Sequence, residues 1–296
     1  MSMRYDAGEV ITAMVTPFNK DLSINFETVE KLANYLVENG SDAILVAGTT
    51  GESPTLTHHE ELELLSAVKK AVGSKVKILM GAGSNCTATA VEQSKKVQKA
   101  GADAILSVVP YYNKPSQAGM INHFGKIAKA VDLPVLLYNI PGRTGVNMCP
   151  TTIATVAKEN PNIFAVKQSN SDLDQVSEII SLCPNDFTVY SGDDSLTLPV
   201  LSTGAYGVIS VASHVVGKEI KEMIKAYKTG DVKKAKELHL CLFPIFKKLF
   251  MAPNPTPVKA ALAKLGIVNE FVRDPQVPLT DEEKTELYSV LKLYFL

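Results

Sequence analysis

The chain alternates short apolar runs with longer amphipathic segments up to Val211. The short runs are rich in β-branched and aromatic residues, which is typical of buried strands, although periodicity alone does not exclude a helix. The pattern predicts eight strands: Val10–Val15, Ala43–Ala47, Lys77–Met80, Ala104–Val109, Val135–Tyr138, Ile163–Lys167, Thr188–Tyr190 and Gly207–Val211. Helical patterns lie between them, for example Phe26–Glu38, His59–Val72, Ala88–Ala100, Ala118–Ala130, Thr151–Lys158 and Asp172–Ser181.

This alternation predicts an α/β fold with a parallel sheet, and eight repeats of strand and helix close into a (β/α)8 TIM barrel. An open, doubly wound sheet is the competing topology, and it is disfavoured because no GxGxxG follows the first strand. After Val211 the chain carries helical patterns such as Val232–Phe250 and Thr256–Leu265. We therefore expect residues 1–217 to form the barrel core with the active site. Residues 218–296 would form the last barrel helix and a C-terminal helical appendage.

Composition excludes several classes of function. The length of 296 residues, with 46% hydrophobic and 21% charged residues, is that of an ordinary globular protein. A formal net charge of −1 provides no field that would attract nucleic acid or an anionic membrane. No apolar stretch has the length of a membrane span, and the first residues lack the apolar core of a secretory signal. We expect a protein that binds neither nucleic acid nor membranes.

The cysteines and histidines give no metal signature. Cys86, Cys149, Cys183 and Cys241 are scattered without a CxxC pair, and the five histidines form no HExxH pattern. The cysteines are interpreted as reduced thiols of a cytoplasmic protein, and no metal site is expected.

Lys167 ends the apolar sixth strand, where its stem can lie in apolar surroundings. Desolvation disfavours the ammonium form, so a buried lysine is a candidate nucleophile toward a carbonyl. The alternative is that Lys167 marks the strand's exit into solvent, as most lysines do.

Other unusual residues also follow the strands at their carboxyl ends, where (β/α)8 barrels build their active sites. Thr49 and Thr50 lie between glycines and offer hydroxyls and backbone N–H groups to a carboxylate, although a turn with a helix cap is the alternative. Tyr111 and Tyr112 stand between prolines, and packing against a helix or a neighbouring subunit would also explain them.

Two further strands end in chemically active groups. Tyr138 closes the fifth strand, so that its phenol can point into the barrel mouth, and Arg143 follows a Pro-Gly turn where it can bind a carboxylate in bidentate fashion. Asp193 and Asp194 follow the seventh strand and can act as caps of the next helix. An amine, a phenol, a pair of hydroxyls and an arginine at one end of a barrel suit imine chemistry on a keto acid.

The chain also resembles the dihydrodipicolinate synthase family of class I aldolases, within a superfamily that includes N-acetylneuraminate lyase. The resemblance extends from Val10 to the C-terminal helices. Its motifs are GTTGES at Gly48–Ser53, PYYNKPSQ at Pro110–Gln117, YNIPGRTG at Tyr138–Gly145, Val166-Lys167, SGDD at Ser191–Asp194, GVISV at Gly207–Val211 and NPTPVK at Asn254–Lys259.

The resemblance implies that Lys167 forms a Schiff base with pyruvate, which condenses with L-aspartate 4-semialdehyde in diaminopimelate and lysine biosynthesis. Tyr138 would donate and accept protons through Thr49 and Tyr112, with Tyr112 reaching in from a neighbouring subunit. Thr50 and the backbone at Ile209 would hold pyruvate, and Arg143 the carboxylate of the semialdehyde. The resemblance further implies a homotetramer built from tight dimers and no cofactor, because the imine supplies the electron sink.

The chain departs from the family pattern in two places, after the lysine and in the allosteric site. Gln168 follows the lysine where synthases commonly carry an acidic residue, and this Lys-Gln pair resembles the sialic acid lyases. Ser53, His58, Asn85 and Tyr111 match the allosteric lysine site of regulated relatives, whereas Pro54, Glu61 and Thr89 do not. The three mismatches argue against inhibition by lysine. The Lys-Gln pair makes cleavage of N-acetylneuraminate or another sugar acid the alternative activity, and a non-catalytic barrel that binds a keto acid is the alternative from another class.

Overall fold

The computed structural model describes residues 4–295. Residues 1–3, on which the expectation of no secretory signal partly rests, lie outside the described residues, as does residue 296. Eight parallel strands form a closed barrel in chain order, which confirms the predicted (β/α)8 TIM barrel and excludes the open sheet. The strands are β1 Val10–Ala13, β2 Ala43–Val46, β3 Lys77–Gly81, β4 Ala104–Val108, β5 Val135–Asn139, β6 Ile163–Gln168, β7 Thr188–Ser191 and β8 Gly207–Ser210.

Helices alternate with these strands and then continue alone to the C-terminus. They are α1 Phe26–Glu38, α2 His58–Val72, α3 Thr87–Ala100, α4 Gln117–Ala130, α5 Pro141–Thr144, α6 Pro150–Glu159, α7 Leu173–Leu182, α8 Thr197–Ser202, α9 Ser213–Lys228, α10 Val232–Lys248, α11 Thr256–Lys264 and α12 Asp281–Phe295. The predicted helices are all present. Helix α1 has the predicted ends, and the others differ from the prediction by one or two residues, because capping groups decide where a helix begins. Thr57, for example, forms a reciprocal capping box with Glu60 and starts α2 at His58.

The contacts divide the chain into two compact units. One contains the residues up to Glu9 together with Leu79–Ile209, and the other contains Val10–Ile78 together with the residues from Ser210 onward. The predicted boundary after residue 217 stays a prediction.

The first unit carries strands β4 to β7 with their helices. Its ladders pair Tyr138 with Lys167 and Lys167 with Tyr190, so these three residues stand side by side on β5, β6 and β7. The ladder also pairs Asn139 with Gln168. Both strands therefore run one residue further than the hydrophobic pattern predicts, because backbone pairing and not side-chain polarity ends a strand.

The second unit contains β1, β2 and the C-terminal helices. Helix α1 packs on α2, α10 packs on α9, and α12 packs on both α10 and α11. Helices α10, α11 and α12 form the helical C-terminal appendage that the sequence predicts. Among residues 4–295, no helix is both long and apolar enough to cross a bilayer.

Candidate active site

Lys167 lies inside the protein, with only 7% of its surface exposed. Its Nζ atom lies 4.4 Å from the centroid of the Tyr138 ring, which faces it from β5. Tyr138 is itself buried. This burial excludes the alternative in which Lys167 marks the strand's exit into solvent, and it leaves an amine and a phenol in contact within a largely apolar setting.

Gly192, directly after β7, lies close to Lys167 and leaves no room for a side chain. A Cβ atom there would lie 2.9 Å from Lys167 Cε and 1.8 Å from Ser169 Oγ. The backbone N–H of Gly192 donates to the carbonyl of Gln168 at 2.8 Å, which holds the two segments together. The SGDD motif therefore contributes its glycine to the lysine's surroundings, and sequence reasoning missed this. Asp193, as predicted, acts as a cap, accepting from the backbone N–H of Ser195.

Gln168 lies on the opposite face of β6 from Lys167, because successive side chains of a strand alternate. Its Oε1 accepts a hydrogen bond from Asn139 Nδ2 at 3.1 Å, and the same amide nitrogen contacts Asn147 Oδ1 at 2.8 Å. Gln175 continues this network to Asn147. The residue that departs from the common synthase pattern thus joins a network of amide side chains that faces away from the lysine.

The paired tyrosines and Arg143 lie nearer the surface. Tyr112 has a left-handed backbone with φ of 72° and is 88% exposed, while its N–H donates to Thr144 at the end of α5. Arg143, in the same short helix, is also exposed. Within this chain the Tyr112 phenol therefore faces solvent, whereas Tyr138 and Lys167 are brought together. Ile209, on β8, is buried.

Thr49 and Thr50 lie in the second unit, directly after β2. Thr50 is buried, and its Oγ1 accepts a hydrogen bond of 2.9 Å from Asn254 Nδ2. Thr49 is half-buried. The adjoining Gly51 is closely enclosed, since a Cβ would lie 3.1 Å from the Met14 carbonyl oxygen and the neighbouring backbone would have to shift slightly to admit it. The loop that carries the two threonines is therefore held closely by its surroundings.

The same loop contains a buried ion pair. Glu52 has a left-handed backbone with φ of 58°, and its carboxylate binds Lys259 Nζ, with both side chains almost fully buried. The other carboxylate oxygen accepts from the Arg273 backbone N–H at 2.9 Å. Burial lowers the pKa of Lys259 to about 8, against the opposing pull of the Glu52 carboxylate. Sequence reasoning assigned no role to this pair, since Lys259 falls in an ordinary helical pattern.

The residues of the predicted allosteric site lie in both units. In the second unit, Ser53 Oγ donates to Glu61 Oε1 at 2.7 Å, and His58 Nδ1 lies 3.1 Å from Glu61 Oε2. In the first unit, the carbonyl of Asn85 accepts from the side chain of Asn113, and Tyr111 is 41% exposed. Glu61 departs from the pattern of regulated relatives. Its carboxylate nevertheless contacts Ser53 and His58, two residues that match that pattern.

No group of three or more His, Cys, Asp or Glu side chains within the described range 4–295 is arranged to hold a metal ion. The four cysteines are free thiols, and Cys183 is the buried one.

Comparison with known proteins adds the family. The chain is 52% identical over 278 residues to a 4-hydroxy-tetrahydrodipicolinate synthase of Desulforamulus reducens, with 94% of each chain covered. Crystal structures of dihydrodipicolinate synthases from Bacillus anthracis and from Cyanidioschyzon merolae, the latter with lysine bound, each superpose with a TM-score of 0.95 and 48% identity. Each of these matches covers 97% of this chain and 98% of the other. The model of the dihydrodipicolinate synthetase family matches residues 6–294. Because this match spans nearly all of the sequence, the chain belongs to the dihydrodipicolinate synthetase family.

Proposed function

We propose that this protein condenses pyruvate with L-aspartate 4-semialdehyde to give 4-hydroxy-tetrahydrodipicolinate, in diaminopimelate and lysine biosynthesis. Members of the family are Schiff-base-forming class I lyases that act on these two substrates. The observation that carries the proposal is the buried Lys167, whose amine lies against the Tyr138 ring. A buried amine beside a phenol is what imine formation with a keto acid requires.

The proposed reaction begins when the Lys167 amine attacks the ketone carbon of pyruvate. Loss of water from the carbinolamine gives a protonated imine, which withdraws electrons and allows a methyl proton to leave, giving an enamine. The enamine carbon then attacks the aldehyde of the second substrate. Finally, the amino group of that substrate attacks the imine carbon, and Lys167 leaves as the free amine while the ring closes. The imine is the electron sink, so the protein's own lysine supplies the chemistry for which other enzymes use a cofactor.

We assign the proton transfers to Tyr138, with Thr49 and Tyr112 as its relay. General acid–base catalysis by such positioned groups contributes roughly 10²–10⁴-fold. The 88% exposure of Tyr112 supports a role across an interface, in which the phenol serves a neighbouring subunit. The proposed assembly is accordingly a homotetramer built as a dimer of dimers.

We assign substrate binding to Thr50, Ile209 and Arg143. The Thr50 hydroxyl and the backbone at Ile209 would hold pyruvate, and the guanidinium of Arg143 would bind the carboxylate of the semialdehyde. The exposure of Arg143 suits a group that meets the second substrate as it enters.

Ser53, His58, Asn85 and Tyr111 match the allosteric lysine site of regulated relatives, but we infer from the departures at Pro54, Glu61 and Thr89 that lysine does not inhibit this protein in their manner. The relative from Cyanidioschyzon merolae was crystallised with lysine bound. In this chain the Glu61 carboxylate already binds Ser53 and His58, so lysine would have to compete with these contacts. A cytoplasmic location is proposed as well, on the reduced state of the four thiols.

The proposed function is tested by assaying condensation of the two substrates by the full-length protein, with and without added lysine. Separate arms measure cleavage of N-acetylneuraminate and covalent trapping by borohydride in the presence of pyruvate. We expect condensation, and an irreversible adduct on Lys167 that is absent from Lys167→Met. The exposed Lys158→Met variant is the matched control and should be trapped normally.

Each alternative has its own outcome. Efficient cleavage of N-acetylneuraminate without condensation would establish a sugar-acid lyase. Pyruvate binding without any adduct would establish a keto-acid-binding barrel. Gln168 does not favour the lyase, since its side chain lies on the face of β6 away from Lys167.

A further inference from the structure

We infer that Asn254 is a positioning residue for substrate binding and that it acts by setting the direction of the Thr50 hydroxyl. Asn254 is 7% exposed, and its amide nitrogen lies 2.9 Å from Thr50 Oγ1, although 204 positions separate the two in sequence. Asn254 begins the NPTPVK motif, to which the proposed reaction assigns no task. The inference rests on the proposed function, in which Thr50 holds the carboxylate of pyruvate.

A hydroxyl group has one proton to donate and two lone pairs that accept. The Asn254 N–H occupies a lone pair of Thr50 Oγ1, so the single Thr50 proton stays free to donate to a carboxylate oxygen. An acceptor in place of that N–H would draw the proton to itself and turn a lone pair of the hydroxyl toward the substrate. Hydrogen bonds to a charged acceptor are about twice as strong as neutral ones, so the direction of this proton affects affinity.

The other end of the Asn254 amide supports a role beyond stability. Within the described part of the chain, Asn254 Oδ1 is buried without a hydrogen-bond partner. An amide retained for stability alone would be expected to satisfy both ends, because an unpaired buried carbonyl is costly. The contact that this side chain does make is the one to Thr50.

The loop does not depend on Asn254 to keep its place. Lys259, on the helix that follows Asn254, binds the buried carboxylate of Glu52, and the Arg273 N–H binds the same carboxylate. The hydroxyl of Thr16 donates to the carbonyl of Gly51 at 2.6 Å. With these contacts intact, a change at Asn254 alters the direction of one hydroxyl proton and leaves the backbone of the threonine loop in position.

The test measures KM for each substrate and kcat with the full-length protein. Asn254→Asp replaces the donor by an acceptor of the same shape, Asn254→Leu removes polarity, and Thr50→Val removes the hydroxyl. We expect KM for pyruvate to rise roughly tenfold in Asn254→Asp and in Thr50→Val, and by a smaller factor in Asn254→Leu. KM for the semialdehyde and kcat should change by less than about twofold, as expected when only binding of one substrate is affected.

A double-variant cycle shows whether Asn254 acts through Thr50. In the Thr50→Val background there is no hydroxyl to orient, so Asn254→Leu should raise KM for pyruvate by less than about 1.5-fold further. Asn160→Asp is the matched control. Asn160 is also buried and donates to the Val156 carbonyl, so its variant should keep both KM values while thermal unfolding reports any loss of stability.

Three results would overturn the inference while the unaltered protein is active. These are an unchanged KM for pyruvate in Asn254→Asp, an equal rise in both KM values, and fully multiplying effects in the double variant. If Asn254→Leu fails to fold, the comparison of Asn254→Asp with Thr50→Val decides. An unaltered protein that neither condenses the substrates nor forms a borohydride adduct would instead refute the proposed function and the inference with it, before any variant is made.

Discussion

Tyr138 and Lys167 are register partners on adjacent strands, and the lysine Nζ lies 4.4 Å from the centre of the tyrosine ring. Both side chains are buried, and the ladder sets them side by side. The lysine nitrogen lies over the face of the tyrosine ring, and this contact places the amine beside the phenol.

Removing only the phenol oxygen tests the acid–base role of this pair. Tyr138→Phe keeps the ring under Lys167, and we expect kcat to fall roughly 10²–10⁴-fold while borohydride still traps pyruvate slowly. Steady-state kinetics and the rate of trapping measure the two effects. A variant with unchanged kcat would show that protons reach the imine by another route.

Gly192 is expected to be intolerant of any side chain, since a methyl group there would displace Lys167 Cε. A shift of about 1 Å at a reacting group can cost roughly 10²-fold in rate, so Gly192→Ala should lower kcat/KM by that order. The closer clash, with Ser169 Oγ, should also lower the stability of Gly192→Ala, and adding Ser169→Gly should recover that stability without restoring activity. Gly125→Ala, where a new Cβ would lie 4.0 Å from the nearest neighbour, should leave the kinetics unchanged.

Arg143→Ala should affect the two substrates differently. Loss of a charged hydrogen-bond donor is expected to raise KM for the semialdehyde roughly tenfold or more, with a much smaller effect on KM for pyruvate. Arg143→Lys should recover only part of the affinity, because an ammonium lacks the bidentate geometry of a guanidinium. Equal effects on both substrates would remove the role assigned to Arg143.

The buried pair of Glu52 and Lys259 predicts a loss of stability when one partner is removed. Lys259→Met leaves the Glu52 carboxylate buried without its cation, and such losses cost about 3–5 kcal/mol in the free energy of unfolding. Lys259→Met combined with Glu52→Gln should recover part of the lost free energy of unfolding, since the double variant has no unpaired charge at this buried site. Denaturant titration measures the free energy of unfolding of the single and the double variant. As a control, Lys264→Met changes an exposed lysine of the same helix and should cost less than about 1 kcal/mol.

Stability should fall between pH 6.5 and pH 4 because of two buried histidines. Burial lowers the pKa of His123 and of His214 to about 4, from 6.5 for an unperturbed histidine. Each contributes stability that is complete above pH 6.5 and lost as the pH falls toward 4, amounting to about 3 kcal/mol each. His214 is fully buried, and its Nε2 also accepts from the Val15 N–H, a contact that a proton on that nitrogen would end.

The pH prediction is checked by denaturant titrations at several pH values between 7 and 4. His123→Leu should make the fall in unfolding free energy less steep over this range. If the unfolding free energy falls equally steeply with pH in His123→Leu and in the unaltered protein, His123 does not contribute to the pH dependence.

By itself, the sequence determined the barrel and the chemistry that it carries. Short apolar runs such as Ile163–Lys167 encode buried strands locally. Eight such strands alternating with helices are compatible with only a few topologies of a parallel sheet. The position of Lys167, Tyr138 and Arg143 near the carboxyl ends of their strands or just beyond them followed from the same local pattern.

Only the tertiary structure decided which groups meet. Gly192 against Lys167, Asn254 on Thr50 and Lys259 on Glu52 join residues far apart in the chain, and no local periodicity marks them. Lys259 shows this most clearly, because a lysine in a helical pattern predicts exposure, whereas here it is fully buried against a carboxylate. Such contacts depend on how completed helices and strands pack, which is a property of the whole fold and not of any segment.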